Sequence, residues 1–413
     1  MRTEILAIGT ELLTTDRVDT NSVWLAQRLA DLGLAFHRKT CLGDDPEDLR
    51  RAFGEALERS ELIITSGGLG PTFDDLTKEI WAEHLGVPLL EDGQVRKDIE
   101  GFFLGRGRPM PPRNLKQALV PKGARVLRNP VGTAPGLLWV DPPGHEGSTV
   151  VMLPGVPREF KSLWETQVEP WLKARTHRPT HTLRLLVAGV GESLLEQRTE
   201  AIRQQHGHLD WTILASLGQV ELVARHPDPL LLEAAAQDLV PILGADLVVR
   251  GPGTVASRVL DLLAARNETL ALAESMTGGR IGALLTEIPG ASRSFVGGAV
   301  VYSPEAKLRL AALPPAVLAS HGTVSEATAL ALAEGIRDRL GSTWGLAVVG
   351  NAGPGEDPGG SAPVGTAWMA VAGPEGASAH PNVFPGHRAD VQSRTSLLAL
   401  DALRRRLEAA SGC

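Results

Sequence analysis

The sequence predicts an α/β protein of three domains, and three observations carry that expectation. Short apolar runs alternate with helix-period segments in the first and last parts of the chain, a different order, βαββαβ, lies between them, and two polar stretches bearing Pro or Gly separate the parts. At 413 residues the chain is also too long for one ordinary core.

In the first region, 1–170, "TEILAIG" reads as a strand, "NSVWLAQRLADLG" as a helix stopped by glycine, "LAFHRKTCLG" as a strand, "PEDLRRAFGEALERS" as a helix and "ELIITSGG" as a strand. That alternation favours parallel pairing in a doubly wound sheet with helices on both faces. "KARTHRPTH" marks the first boundary. In the second region, 171–251, "TLRLLVAG", "LLEQRTEAIRQQ", "WTILASL", "QVELVAR", "PLLLEAAAQDLVPIL" and "DLVV" spell a small α+β module of the split βαβ order, without the G-x-x-G loop of an RNA clamp. "RGPGTVAS" ends it, and 252–413 reads as a further α/β domain expected to fold alone.

Composition narrows the function. Hydrophobic residues at 43% and charged residues at 22% describe a soluble globular chain, and the net charge of -7 with no basic run argues against a nucleic-acid partner. The apolar start "MRTEILAIGTELL" is too short and too acidic for a secretory signal, and no run has the length of a membrane span, so a cytoplasmic location without a membrane partner is expected. Cys41 and Cys413 make neither a disulfide framework nor a zinc site.

Two stretches carry chemistry. In "TSGGLGPTFDDLTKE", Gly67, Gly68 and Gly70 follow a strand and can offer successive N–H groups to a phosphate, with Thr72 adding a hydroxyl. Asp74 and Asp75 come next and would repel a bare anion. Either a divalent cation intervenes or one carboxylate grips a sugar or ring nitrogen; the competing reading is an acidic first helical turn favoured by the dipole. Glu11, Asn21, Asp44 and Asp45 fall at strand ends or loops of the same region, where a doubly wound sheet gathers its ligand crevice, and Lys78 is the obvious cation.

The second stretch is "LALAESMTGGRIGALLTEI", 270–288. Leu270 and Leu272 alternate as in a strand, whereas Ile281, Leu284, Leu285 and Ile288 share one helix face. Ser275 therefore sits at a strand-to-helix turn beside helix N–H groups, with Gly278 and Gly279 permitting close approach of a ligand. The alternative is a capping role for Ser275 or Thr277.

These motifs, with "IGTELLTTDRVDTN", "RNLKQALVPKGARVLRNPVGTAPG", "LPGVPREF", "PGASRSFVGGAVVYSPEAK", "GTVSEATALALAEGIR" and "AGPG…PVGTAW", resemble the CinA (competence/damage-inducible protein A) family along the whole chain. The resemblance implies a molybdopterin-biosynthesis-like first domain with divalent-cation-dependent ADP-ribose pyrophosphatase activity, and a KH-type middle domain. It implies a C-terminal nicotinamide-nucleotide amidase that converts nicotinamide mononucleotide (NMN) to nicotinic acid mononucleotide and ammonia without a cofactor, and a homodimer.

Under that resemblance Ser275 becomes a nucleophile, while Tyr302 and Lys307 match the family's tyrosine and lysine. Thr277, Gly278, Gly279 and Gly353 border the nucleotide. Arg388 matches a family arginine suited to its phosphate, with Arg394 the weaker alternative. A lysine base needs a depressed pKa, so Lys307 is expected in a partly desolvated site. His321 and His387 read as surface or loop residues. The chain departs from the family at Met276 (usually Cys), Pro304 (Asn), Val349 (Thr) and Asn351 (Ile). In the first domain Asp75 is the leading acidic candidate, with Asp44, Asp74 and Glu11 as metal ligands and Gly67, Gly68, Gly70, Thr72, Asn21 and Lys78 facing substrate. The same resemblance leaves a nucleotide- or pterin-binding regulator as the alternative.

Overall fold

The computed structural model describes residues 1–175, 180–355 and 362–410; part of the first linker, 176–179, and Cys413 lie outside these. Contacts divide the chain into two compact units, Met1–His181 and Thr182–Cys413.

The first unit is built on a six-stranded sheet in the order Phe36–Leu42, Thr3–Ile8, Leu62–Ser66, Thr149–Leu153, Gly136–Val140, Arg125–Leu127. The first four strands run parallel, and Gly136–Val140 pairs antiparallel with both Thr149–Leu153 and Arg125–Leu127. "TEILAI", "LIITS" and "TVVML" are buried throughout, as strands covered on both faces must be. Alternation divides their side chains between two cores. Ile5, Ile64 and Val151 meet Leu25, Leu29 and Phe160, while Leu6, Ile63 and Val150 meet Leu49, Phe53 and Trp81. The helix Pro46–Arg59 shows how locally this is written: Asp45 caps it by accepting from Glu47 and Asp48, Pro46 starts it, and Leu49, Ala52, Phe53, Ala56 and Leu57 form one buried stripe.

In the second unit the observed order is strand His181–Ala188, helix Glu192–Gln205, strands Asp210–Ser216 and Gln219–His226, helix Pro229–Leu243 and strand Leu247–Arg250. Its sheet runs Asp210–Ser216, Gln219–His226, His181–Ala188, Leu247–Arg250. This is the split βαβ arrangement read from the sequence.

The same unit contains a five-stranded sheet in the order Phe295–Val300, Leu270–Glu274, Trp344–Gly350, Thr366–Gly373, Gly376–Val383. Leu270–Glu274 pairs parallel with both neighbours, and the last two strands are antiparallel additions. Leu272, Leu346 and Met369 pack on the helices Val255–Ala265 and Arg388–Ala409, whereas Ala271, Ala273 and Ala347 face the helix Glu326–Leu340. The Arg388–Ala409 helix also ties the two sheets together. Fully buried Arg404 donates to the carbonyls of Ala245 and Leu247 at 2.7 and 3.2 Å, and Arg405 reaches Asp246 at 2.9 Å. The contacts thus draw the two regions separated at 251 in the sequence into one compact unit.

Candidate functional site

Both units place a cavity where the chain reverses its direction of travel across the sheet, outside the carboxyl ends of the strands. In the second unit the chain leaves Leu270–Glu274 for one neighbour and later returns to the other side, so the turn after Glu274 opens into a crevice. A cavity of about 290 Å³ lies there, with Ser275, Tyr302, Lys307, Gly353 and Arg388 on its wall.

Ser275 Oγ lies 3.1 Å from Lys307 Nζ, and both residues are buried, at 8% and 2% exposure. Lys307 enters from the second turn of the helix Pro304–Leu310, which Ser303 caps through the Ala306 N–H at 3.1 Å. Its amine also donates to the carbonyls of Val301 at 2.9 Å and Tyr302 at 3.4 Å. The desolvated lysine site expected from the sequence is therefore present. Arg388 donates to the Tyr302 hydroxyl at 2.8 Å and to the Gly353 carbonyl at 2.7 Å, holding both at the cavity. A guanidinium has five N–H donors, so capacity for an anion remains.

The glycine turn differs from its expected use. Thr277, Gly278 and Gly279 are absent from this cavity wall. The helix Arg280–Thr286 is capped by neither Ser275 nor Thr277, and its N–H groups do not face the cavity. Instead the buried Glu274 carboxylate accepts from Gly279, Ile281 and Gly282 at 3.1, 3.0 and 2.8 Å. Gly278 and Gly279 adopt φ of +65° and +97°, which is how the chain turns back over that carboxylate. Sequence reasoning missed Glu274, although an acidic residue ahead of a glycine turn and a helix is the available signal. It also missed Gln392, whose amide donates to the Met276 carbonyl at 2.7 Å and fixes the Met276–Thr277 peptide. The Met276 N–H forms no hydrogen bond among the described residues. Arg394 is absent from the wall, and His387 begins the last helix, where its N–H meets Asp390 at 3.1 Å.

In the first unit the corresponding cavity, about 560 Å³, lies between the ends of Thr3–Ile8, Leu62–Ser66 and Thr149–Leu153. Gly67, Gly68, Gly70, Thr72, Asp74 and Asp75 line it, and so do Glu11 and Asp44. The glycines are required by the chain itself: a Cβ on Gly67 would stand 2.1 Å from the Ile8 carbonyl oxygen, and one on Gly70 2.4 Å from the Asp75 carboxylate. Asp44 accepts from the Thr10 N–H and hydroxyl, both at 2.7 Å. Asp75 accepts from the Thr72 N–H at 2.8 Å, and the Thr72 hydroxyl lies against both Asp74 and Asp75. That hydroxyl holds the Asp74 carboxyl below its ordinary value.

Two residues expected at the substrate lie elsewhere. Lys78 is 3% exposed and donates to the Lys116 carbonyl at 2.5 Å; burial pushes its ammonium down to about 8. Asn21 is buried, bridging Ser66 Oγ at 3.0 Å and the Gly155 carbonyl at 2.9 Å. The basic side chain on the cavity wall is Arg17, and a further carboxylate there is Glu159; the sequence reading used neither.

The donor set is oxygen alone, which suits Mg²⁺ or Ca²⁺ and not a softer metal. Among the described residues no group of three or more His, Cys, Asp or Glu is gathered as a metal centre. A hard cation held by one or two of these carboxylates and completed by water and ligand phosphates fits such a site; an all-protein cage does not. Among the same residues no helix is long and apolar enough to cross a membrane.

Comparisons with known proteins agree along the whole length. Residues 4–174 match the probable molybdopterin binding domain and residues 253–407 the CinA C-terminal domain. A CinA-like protein of Synechocystis sp. (strain PCC 6803) is 40% identical over 423 residues, covering 99% of this chain and 100% of that one. A CinA-like protein of Synechococcus sp. (strain RCC307) is 44% identical over 388 residues, 91% of each chain. Among solved structures, the protein CinA from Thermoplasma acidophilum is 36% identical, covering 41% of this chain and 96% of that one, at a TM-score of 0.37.

Proposed function

The chain belongs to the CinA family, and from that premise we propose that it hydrolyses the amide of nicotinamide mononucleotide to nicotinic acid mononucleotide and ammonia. The observation that carries this reading is the buried Ser275–Lys307 pair at 3.1 Å, a nucleophile beside an amine base. The Lys307 amine, seated on the Val301 and Tyr302 carbonyls, stands within reach of the serine hydroxyl. Ser275 then attacks the amide carbon and its proton passes to Lys307, which returns it to the departing ammonia. Water hydrolyses the acyl-serine, with Lys307 again taking the proton. The Met276 N–H, in the peptide that follows Ser275 on the cavity wall, is the donor for the developing oxyanion. Arg388, steadied by Tyr302 and Gly353, meets the nucleotide phosphate. At about 290 Å³ the cavity lies near the lower end of the ~300–1,000 Å³ usual for ligand sites, which favours a mononucleotide over a dinucleotide.

The first unit supports a second activity, hydrolysis of ADP-ribose to AMP and ribose 5-phosphate. Its cavity joins a glycine loop to carboxylates and Arg17 at the sheet crossover. Asp74 and Asp75 would hold the divalent cation, which supplies charge neutralisation at the pyrophosphate. Arg17 binds a phosphate of the pyrophosphate bridge. We place both reactions in the cytoplasm, in a homodimer.

The test is direct: full-length protein with NMN should release ammonia, and with ADP-ribose plus Mg²⁺ it should yield AMP. Ligand binding without turnover in both assays would leave a nucleotide- or pterin-binding regulator as the answer.

A further inference from the structure

We propose that Glu159 is the general base that takes the proton from the attacking water in the first unit's cavity. This rests on reading that unit as an ADP-ribose pyrophosphatase.

Glu159 stands in the first turn of the helix Pro157–Leu163, just after the strand Thr149–Leu153, and shares one cavity wall with the glycine loop and Asp75. The loop "LPG" before it touches that glycine loop closely, since a Cβ on Gly155 would lie 3.4 Å from the Gly67 Cα. Its carboxylate is fixed from behind. Asn129 Nδ2 donates to Glu159 Oε2 at 2.6 Å and to the Ala134 carbonyl at 2.8 Å, while Asn129 Oδ1 accepts from the Val131 and Gly132 N–H groups, both at 3.0 Å. Those four bonds leave the amide one orientation, with its donor toward Glu159. Gly132 is packed against the carboxylate so tightly that a Cβ there would stand 2.1 Å from it. A base needs this kind of fixed placement.

Burial pushes the Glu159 carboxyl up, which favours its taking a proton. The other charged groups on the wall are Glu11, Arg17, Asp44, Asp74 and Asp75.

In the step itself, a water O–H proton passes to Glu159 as the water oxygen forms a bond to one phosphorus of the pyrophosphate. The bond from that phosphorus to the bridging oxygen breaks, and the departing phosphate keeps the electron pair. AMP and ribose 5-phosphate result, and Glu159 returns its proton to solvent.

Glu159→Gln in the full chain tests this, because glutamine retains an oxygen to accept from Asn129. Cleavage of ADP-ribose at saturating Mg²⁺ should fall at least ~100-fold in kcat, with KM within about threefold. Mn²⁺ binding read by electron paramagnetic resonance, thermal stability and ammonia release from NMN should be unchanged. The acid limb of the wild-type kcat/KM profile should disappear. Glu159→Asp, which draws the carboxylate back by one methylene, should keep that limb at reduced rate, and it decides the matter if the glutamine variant does not fold. Retention of more than a tenth of kcat in Glu159→Gln overturns the assignment, as does loss of Mn²⁺ affinity in place of rate. A wild-type chain that cleaves no ADP-ribose with Mg²⁺ overturns the reading of the whole unit.

Discussion

Glu274→Ala probes what the glycine turn is for. The carboxylate is 3% exposed and accepts three backbone N–H groups, one of them, that of Ile281, wholly buried. Removing it leaves those donors without a partner. An unpaired buried donor costs about 1–3 kcal/mol, and loss of a negative charge at a helix start adds about 0.3–1 kcal/mol. Water can reach Gly279 and Gly282 more easily than Ile281, so a total of about 4 kcal/mol is expected. For a unit of this size that corresponds to a fall of roughly 10 °C in Tm, since each kcal/mol shifts a domain of 150–250 residues by about 2–4 °C. Glu274→Gln keeps one acceptor oxygen but turns an amide N–H₂ toward the remaining donors, so about half the loss should persist. Calorimetry of the three proteins, with ammonia release from NMN followed in parallel, separates the possibilities. If Glu274 holds the turn, stability and rate fall together and Gln is intermediate in both. A Glu274→Ala variant that melts within about 2 °C of wild type refutes the capping account. A Gln variant of full stability and no activity would make Glu274 a participant in the chemistry.

Ser275→Ala should abolish ammonia release while NMN still binds in calorimetric titration, and Lys307→Arg should be equally inactive because a guanidinium stays charged; substantial rescue by Arg would make Lys307 a phosphate ligand instead. Lys78→Met should stabilise the first unit at pH 7. With its ammonium held at about 8 against an ordinary 10.5, the folded state resists the proton that the unfolded chain binds, so the lysine costs about 3 kcal/mol below pH 8 and progressively less up to pH 10.5. After allowing for the orphaned Lys116 carbonyl, the variant should gain about 2 kcal/mol in urea unfolding at pH 7 and nothing at pH 10; an equal gain at both would refute the linkage. Chelator should stop ADP-ribose cleavage, and Asp75→Ala should do the same while deamidation continues; AMP formation in excess chelator would refute metal dependence. A fragment of 182–413 should melt as the second unit does in the whole chain, whereas 252–413 should be less stable by several kcal/mol, because it strips the carbonyl partners from buried Arg404; equal melting would refute that role.

The parallel sheets were legible because "TEILAI", "LIITS" and "LALAE" are continuous apolar runs, and burial on both faces of a sheet is what such runs record. The Ser275–Lys307 pair was legible through family resemblance alone. Its two members are 32 residues apart, and they meet because Glu274 pairs with Val300 in parallel register, which brings Ser275 beside the chain that turns into Lys307's helix. No local spacing contains that register. Charged residues show the limit more sharply. Lys78 reads as a cation offered to phosphate, while the sequence reading gives Glu274 and Arg404 no role. In the structure Lys78 and Glu274 are buried, and so is Arg404, whose partners Ala245 and Leu247 lie 159 and 157 residues away. Periodicity measures where apolar surface can go, and burial of a charge depends instead on whether carbonyls, N–H groups or a counter-ion arrive from elsewhere in the chain. The residues that shape both cavities, Glu274 and Gln392 in one and Glu159 with Asn129 in the other, are polar groups satisfied in that way, so their roles emerge when the strands that deliver their partners are in place.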